Sequence, residues 1–241
     1  MLELKNISFD VMVNGQKKEI LKNLNIKFDN NKFIVITGPN GSGKSTLAKI
    51  IAGIFVPTQG QILFDNTDIT EKSITDRAQN GIGYAFQQPV KFKGLQVYDL
   101  LKIAAKGSLS LEQACNYLSK VGLCAGEYIR REVNSSLSGG ELKRIEIATI
   151  LAKQPKLSVF DEPEAGIDLW SFQNLIKIFN SMRQNINGTI IVISHQERIL
   201  DIADEILVLA DGKITMQGKR EDILPKILGT ESAVVTCAKL N

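Results

Sequence analysis

The sequence predicts an α/β fold built on a largely parallel sheet. Two observations carry that expectation. Five short runs rich in Ile and Val are apolar on both faces, the mark of strands buried on both sides. Stretches with helical spacing separate them, as parallel strands need crossover connections.

Each element follows in order. Leu2–Phe9 and Ile20–Phe28 flank the polar stretch Asn14–Glu19, which contains a glycine, and read as an antiparallel pair. Phe33–Thr37 (FIVIT) is the first fully apolar strand. A glycine-rich loop follows, then the helical run Thr46–Ala52. Ile82–Phe86 is the next strand. From about Gln88 to Leu137 strand signals disappear, while Leu95–Lys106 and Leu111–Val121 have helical spacing. Ser110 with Gln113 makes a capping box for the second of these. A helix follows Leu137–Glu141 and runs through about Lys153, and another spans Leu169–Arg183. Leu157–Phe160, Thr189–Ile193 and Ile206–Leu209 complete the strands. The tail after Gly229 reads as a short strand or as disorder. The expected organisation is one domain over 1–228, with a core of 1–87 and 146–228, a helical subdomain at 88–145 and a tail at 229–241.

Composition sets the bounds. The chain has 241 residues, 44% hydrophobic and 23% charged, which is ordinary globular usage and enough to bury a core. Its 29 Lys+Arg against 26 Asp+Glu leave a charge of only +3, which by itself does not indicate nucleic acid. Apolar runs such as Ile190–Ile193 fall far below the roughly 18 residues that span a bilayer. The start MLELKNISF shows no apolar leader. Cys115, Cys124 and Cys237 share no metal or disulfide spacing, and the one histidine, His195, argues against a His/carboxylate metal cluster. A cytoplasmic location and buried, structural thiols at Cys115 and Cys124 are expected. Cys237 has no activating neighbour beyond Lys239.

Three motifs carry chemistry. Gly38-Pro39-Asn40-Gly41-Ser42-Gly43-Lys44-Ser45 fits G-x-x-x-x-G-K-[ST] between a strand and the helix that Thr46 continues. The glycines let backbone N–H groups surround a β-phosphate, and the helix N-terminus adds its positive end. Lys44 is expected at the β/γ-phosphates and Ser45 at Mg²⁺. The buried strand Leu157–Phe160 ends in Asp161 and Glu162, where open α/β sheets bind ligands. Asp161 is expected to hold Mg²⁺ through water, and Glu162 to orient the attacking water as general base. Leu137-Ser138-Gly139-Gly140-Glu141 then opens a helix, placing Ser138, Gly139 and Gly140 where an anion meets a helix N-terminus.

The three motifs in this order resemble the ATP-binding cassette (ABC) ATPases, over nearly the whole chain from Leu2 to about Leu228. The resemblance implies that family's nucleotide-binding domain: a phosphate-loop core, an N-terminal antiparallel β region and an inserted helical subdomain. It implies ATP and Mg²⁺ as ligands, and a head-to-tail dimer in which Ser138 and Gly140 contact a γ-phosphate held by the partner copy. Gln87 then matches the Q-loop glutamine, which senses Mg²⁺ and links the core to the helical subdomain. Asp168, in Glu164-Ala165-Gly166-Ile167-Asp168, matches the D-loop dimer contact, and His195 the switch histidine. The family's adenine-stacking aromatic falls at Val11, so stacking is weak or comes from elsewhere; Phe9 is expected to face the core.

Some stretches are similar to SufC, the ATPase of the Suf iron–sulfur assembly system. These are Tyr84-Ala85-Phe86-Gln87-Gln88-Pro89-Val90 with Gly94, Val11, and the run from Asp161 to Phe172. That resemblance implies a SufB-like scaffold, alone or with a SufD-like subunit, docking near Gln87–Gly94 and Leu95–Leu101. Val90, Phe92, Leu95 and Val97 are candidates either for that surface or for the interior. The alternative is the ATP-binding subunit of a membrane transporter. A non-enzymatic alternative is a nucleotide-gated interaction module with negligible turnover alone. Ribosome-associated types carry two cassettes and chromosome types a long heptad insert; neither pattern is present. Trp170 and Phe172 are expected as core anchors of the helix after the D-loop, with a dimer contact at Trp170 as the other option.

Overall fold

A computed structural model describes the backbone of residues 1–185 and 188–238, with side chains described for these except Trp170, Asn185 and 230–238. The fold starts from a hairpin. β1 (Leu2–Val13) turns directly into β2 (Gln16–Phe28). Asn14 and Gly15 both take positive φ, 51° and 77°, as a two-residue type I′ turn requires. The turn is therefore tighter than the sequence suggested. β4 (Gln59–Phe64) pairs with the other edge of β1, and β5 (Thr67–Asp68) with β4, giving a four-stranded antiparallel sheet in the order β2-β1-β4-β5.

The second sheet contains β3 (Phe33–Thr37), β6 (Ile82–Ala85), β7 (Leu157–Asp161), β8 (Thr189–Ile193), β9 (Glu205–Ala210) and β10 (Lys213–Lys219). Its order is β10-β9-β3-β8-β7-β6, parallel except for β10. All five residues of β3, β7 and β8 are buried, so the apolar-run reading holds. Alternate side chains serve opposite faces. Ile34 and Ile36 join α1 (Lys44–Ala52) and the antiparallel sheet in one core. Phe33 and Val35 face a second core with α6 (Gly139–Lys153) and α7 (Leu169–Asn185).

Between β6 and β7 the described chain is helical, as expected: α3 (Val97–Ala104), α4 (Leu111–Lys120), α5 (Ala125–Tyr128) and α6. The Ser110/Gln113 capping box is present on α4. α2 (Ile74–Gln79) precedes β6, and α8 (Glu197–Leu200) follows β8. α9 (Arg220–Ala238) corrects the reading of the tail: residues 229–238 continue a helix rather than form a strand. The side chain of Cys237 and residues 239–241 lie outside the described part, as does the side chain of Trp170. No helix among the described residues is long and apolar enough to cross a membrane.

Two thiols also differ from expectation. Cys124 is exposed and Cys115 only half-buried. On α4 the inward positions are Ala114 and Leu118, so Cys115 sits one step off the buried stripe. Cys124 precedes α5, a single turn with no buried residue.

Candidate functional site

The phosphate loop leaves the C-terminal end of β3, the strand flanked by β8 and β9. Its glycines are required by space and by backbone. Gly38 has φ 138°, and a Cβ there would stand 1.9 Å from the Leu209 carbonyl oxygen. Gly43, at φ 102°, is the N-cap of α1, and no described side chain caps that helix. Its first-turn N–H groups are thus left for an anion. Lys44 is 5% exposed, and its Nζ donates to the carbonyls of Gly38 and Pro39, each at 2.8 Å. Burial lowers its pKa, against the pull of Glu162 and Asp161. A cation held inside a turn of backbone amides is a receptor for a polyphosphate.

Ser45, on the first turn of α1, donates its hydroxyl to Asp161 Oδ1 at 2.9 Å. Asp161 ends β7 and is 1% exposed. Tyr84 on β6 donates to the other carboxylate oxygen at 2.9 Å. Burial first, and the Asp161 charge second, push the Tyr84 phenol well above its ordinary pKa, so it stays a donor. A hydroxyl and a buried carboxylate side by side are the hard oxygen donors that Mg²⁺ takes, so these residues fit that ion. Tyr84 was not anticipated; its only sequence signal was a polar tip near a buried strand's end.

Glu162 lies beside this pair with φ 45°, its N–H donating to the Ile193 carbonyl at 3.0 Å. Gln87 Nε2 donates to Glu162 Oε2 at 2.6 Å, so two sequence-predicted residues, 75 positions apart, meet. His195 follows β8 and is exposed; its Nε2 lies 3.4 Å from Gln196 Nε2. Ser194, just before it, is fully buried and donates to Glu164 Oε1. Burial raises the Glu164 pKa. Asp168 accepts from Ser171 N at 3.0 Å and Ser171 Oγ at 2.7 Å, fastening the start of α7.

Ser138, Gly139 and Gly140 open α6, with Ser138 and Gly139 exposed. Ser138 closes a capping box with Glu141 that the sequence reading had not identified. The Glu141 carboxylate also accepts from Tyr128, which holds it below the usual carboxylate range. Val11 is half-buried on β1, and Phe9 stacks on Phe55 with ring centroids 5.2 Å apart, both rings half-buried against the core. Of the four apolar candidates, Val97 is fully buried and belongs to the core, Leu95 is half-buried, and Val90 and Phe92 are 43% and 38% exposed.

A phosphate loop at a strand end, with a serine and an acidic strand end beside it, defines a phosphate-loop NTPase. Residues 21–165 match the family model described as ABC transporter. An uncharacterized ABC transporter ATP-binding protein of Methanocaldococcus jannaschii, MJ0035, is 36% identical over 222 residues, 89% of this chain and 88% of its own length. The energy-coupling factor transporter ATP-binding protein EcfA1 of Mesomycoplasma hyopneumoniae is 32% identical over 247 residues, 100% of this chain and 87% of its own. The dimeric post-hydrolysis structure of the ATP-binding cassette MJ0796 bound to ADP and Pi superposes with a TM-score of 0.81 at 26% identity, over 91% of this chain and 99% of that one.

The chain belongs to the ABC transporter family. It is an ABC ATPase, using ATP with Mg²⁺. The SufC resemblance is overturned: these relatives carry transporter ATP-binding names over nearly the full chain, while the SufC likeness rested on short stretches around Gln87 and Asp168. The iron–sulfur role and the SufB-like or SufD-like partners fall with it.

Proposed function

We propose that this chain is the ATP-binding subunit of a membrane transporter, working as a head-to-tail pair of copies. The observation that carries the reading is the full-length similarity to EcfA1, a transporter ATP-binding protein. The surface beside the ATP site supports it. Phe86, Val90 and Phe92 expose apolar area next to Gln87, and with Tyr84, Leu100, Val133 and Ile145 line a small cavity of about 130 Å³. A membrane subunit docked there adjoins the residue that touches Glu162.

In this reading the residues Gly38 to Thr46 bind the triphosphate, with Lys44 turning from its two carbonyls to the β/γ-phosphates. Ser45, Asp161 and Gln87 would hold Mg²⁺, which would supply charge neutralisation on the phosphates. Glu162 orients the attacking water and accepts its proton, while His195 contacts the γ-phosphate from the end of β8. Ser138, Gly139 and Gly140 complete the partner copy's site, and Asp168 fixes the D-loop between the two copies. Each chain thus contributes half of two composite sites.

Co-purification of the full chain from its native host tests the partner. Recovery with an integral membrane protein, lost when Phe92 is changed to Asp, is the expected result. Recovery only with non-membrane proteins would overturn the transporter reading and leave the ATPase assignment standing.

A further inference from the structure

α6 carries two ionisable side chains at depths where its neighbours are apolar. Lys143 is 2% exposed, and the Glu146 side chain, one turn on, is 13% exposed. Their polar atoms converge on one place, the point where β6 gives way to the Q-loop. Lys143 Nζ donates to the Phe86 carbonyl and, at 3.4 Å, to the Gln87 carbonyl. Glu146 Oε1 accepts from Phe86 N at 2.8 Å. Both backbone groups of Phe86 are therefore taken by side chains of α6. Glu146 Oε2 makes no hydrogen bond and is paired by charge alone, with Lys143 Nζ at 3.4 Å.

Packing does not require this arrangement. A buried ion pair is often no more stabilising than apolar residues of the same volume. What Lys143 and Glu146 do, and apolar side chains could not, is hold three successive peptide groups, through Phe86 N–H and the carbonyls of Phe86 and Gln87. The last two flank Gln87, whose amide reaches Glu162 at 2.6 Å. At its N-terminus the same helix presents Ser138, Gly139 and Gly140. One rigid element thus connects the segment offered to a partner copy with the residue touching the hydrolytic carboxylate.

We propose that Lys143 and Glu146 form a positioning clamp that ties Phe86 and Gln87 to α6, so that Gln87 follows the signature helix when the helical segment moves. The proposal rests on the reading of Gln87 as the Mg²⁺-sensing glutamine. The clamp acts through Gln87 and touches no nucleotide, so its loss slows the chemical step without weakening ATP binding.

Steady-state ATP hydrolysis with Mg²⁺ tests it in the full chain, using K143M, K143M/E146Q and K143R, each with a thermal melt. The double variant removes both charges and keeps an acceptor for Phe86 N, so it is the one expected to melt near wild type. In K143M/E146Q, kcat should fall about tenfold with KM within about twofold, the signature of an interaction that matters after binding. K143R, which still donates to both carbonyls, should recover kcat to within about threefold of wild type. Wild-type kcat in the double variant, a loss carried by KM alone, or failure of both methionine variants to fold would each overturn the clamp. Q87A is the control: if it turns over at the wild-type rate, the reading of Gln87 fails instead.

Discussion

Lys44, proposed to bind the phosphates, sits uneasily in its own fold. Its ammonium is buried, and burial holds its pKa below the ordinary lysine value. A depressed lysine pKa means that the folded state disfavours the charge, so the cost is present at neutral pH and fades as pH rises through the folded pKa. Lys44→Met removes that cost but strands the Gly38 and Pro39 carbonyls, so its expected signature is loss of the stabilisation that ATP gives, read by thermal melts with and without Mg-ATP. Equal nucleotide stabilisation in variant and wild type would contradict the phosphate role. Glu162→Gln should keep ATP binding and lower hydrolysis at least about a hundredfold, as expected for loss of a general base. Lys44 and Glu162 can be singled out in the sequence because each stands in a motif with a spacing of its own. Tyr84, Lys143 and Glu146 cannot, since their roles depend on β6, β7 and α6 being neighbours, which no local pattern states.

At the scale of elements, α1 is held at both ends. Gly43 opens it, and the buried guanidinium of Arg77 closes it. Arg77 Nη1 donates to the carbonyls of Ile50 and Ile51 at 2.6 and 3.0 Å, Nη2 to Thr70 O at 2.8 Å and Nε to Lys72 O at 3.1 Å. A cation at a helix C-terminus also complements its dipole. Arg77→Met strands those carbonyls and should cost about 2–4 kcal/mol, measured by denaturant unfolding. Asp68 makes a smaller knot. Hydrogen bonds from Gln61 and Thr70 pull its pKa down to about 2. Its contribution is complete above the unfolded value and lost as pH falls through about 2, so Asp68→Asn should flatten the stability profile between about pH 4 and 2. The buried strands were readable because both of their faces are apolar. β4, β5 and β10 were not: β10 alternates exposed and half-buried residues at a sheet edge, and the first half of β4 is exposed. α9 hid for another reason, since Pro225 stands inside it and breaks the usual helical signal.

Across the whole molecule, the two helix starts that carry motifs belong to different parts of the chain. α1 begins at the sheet's carboxyl edge, beside Asp161 and Glu162, whereas α6 begins in the helical segment with Ser138 exposed. The sequence order of the motifs conveyed the family and the ligands. Its finer likenesses misled, because the Q-loop and D-loop stretches are too short to outweigh similarity spread over the full chain. If ATP is hydrolysed between two copies of this chain, a closed pair must form in solution before hydrolysis. The most direct test is the mass of Glu162→Gln in solution with Mg-ATP, measured by light scattering. The mass should double from 26.6 kDa, and Ser138→Arg should abolish the doubling while nucleotide binding persists. A monomer that binds ATP at saturation, or a dimer indifferent to Ser138→Arg, would contradict hydrolysis between copies.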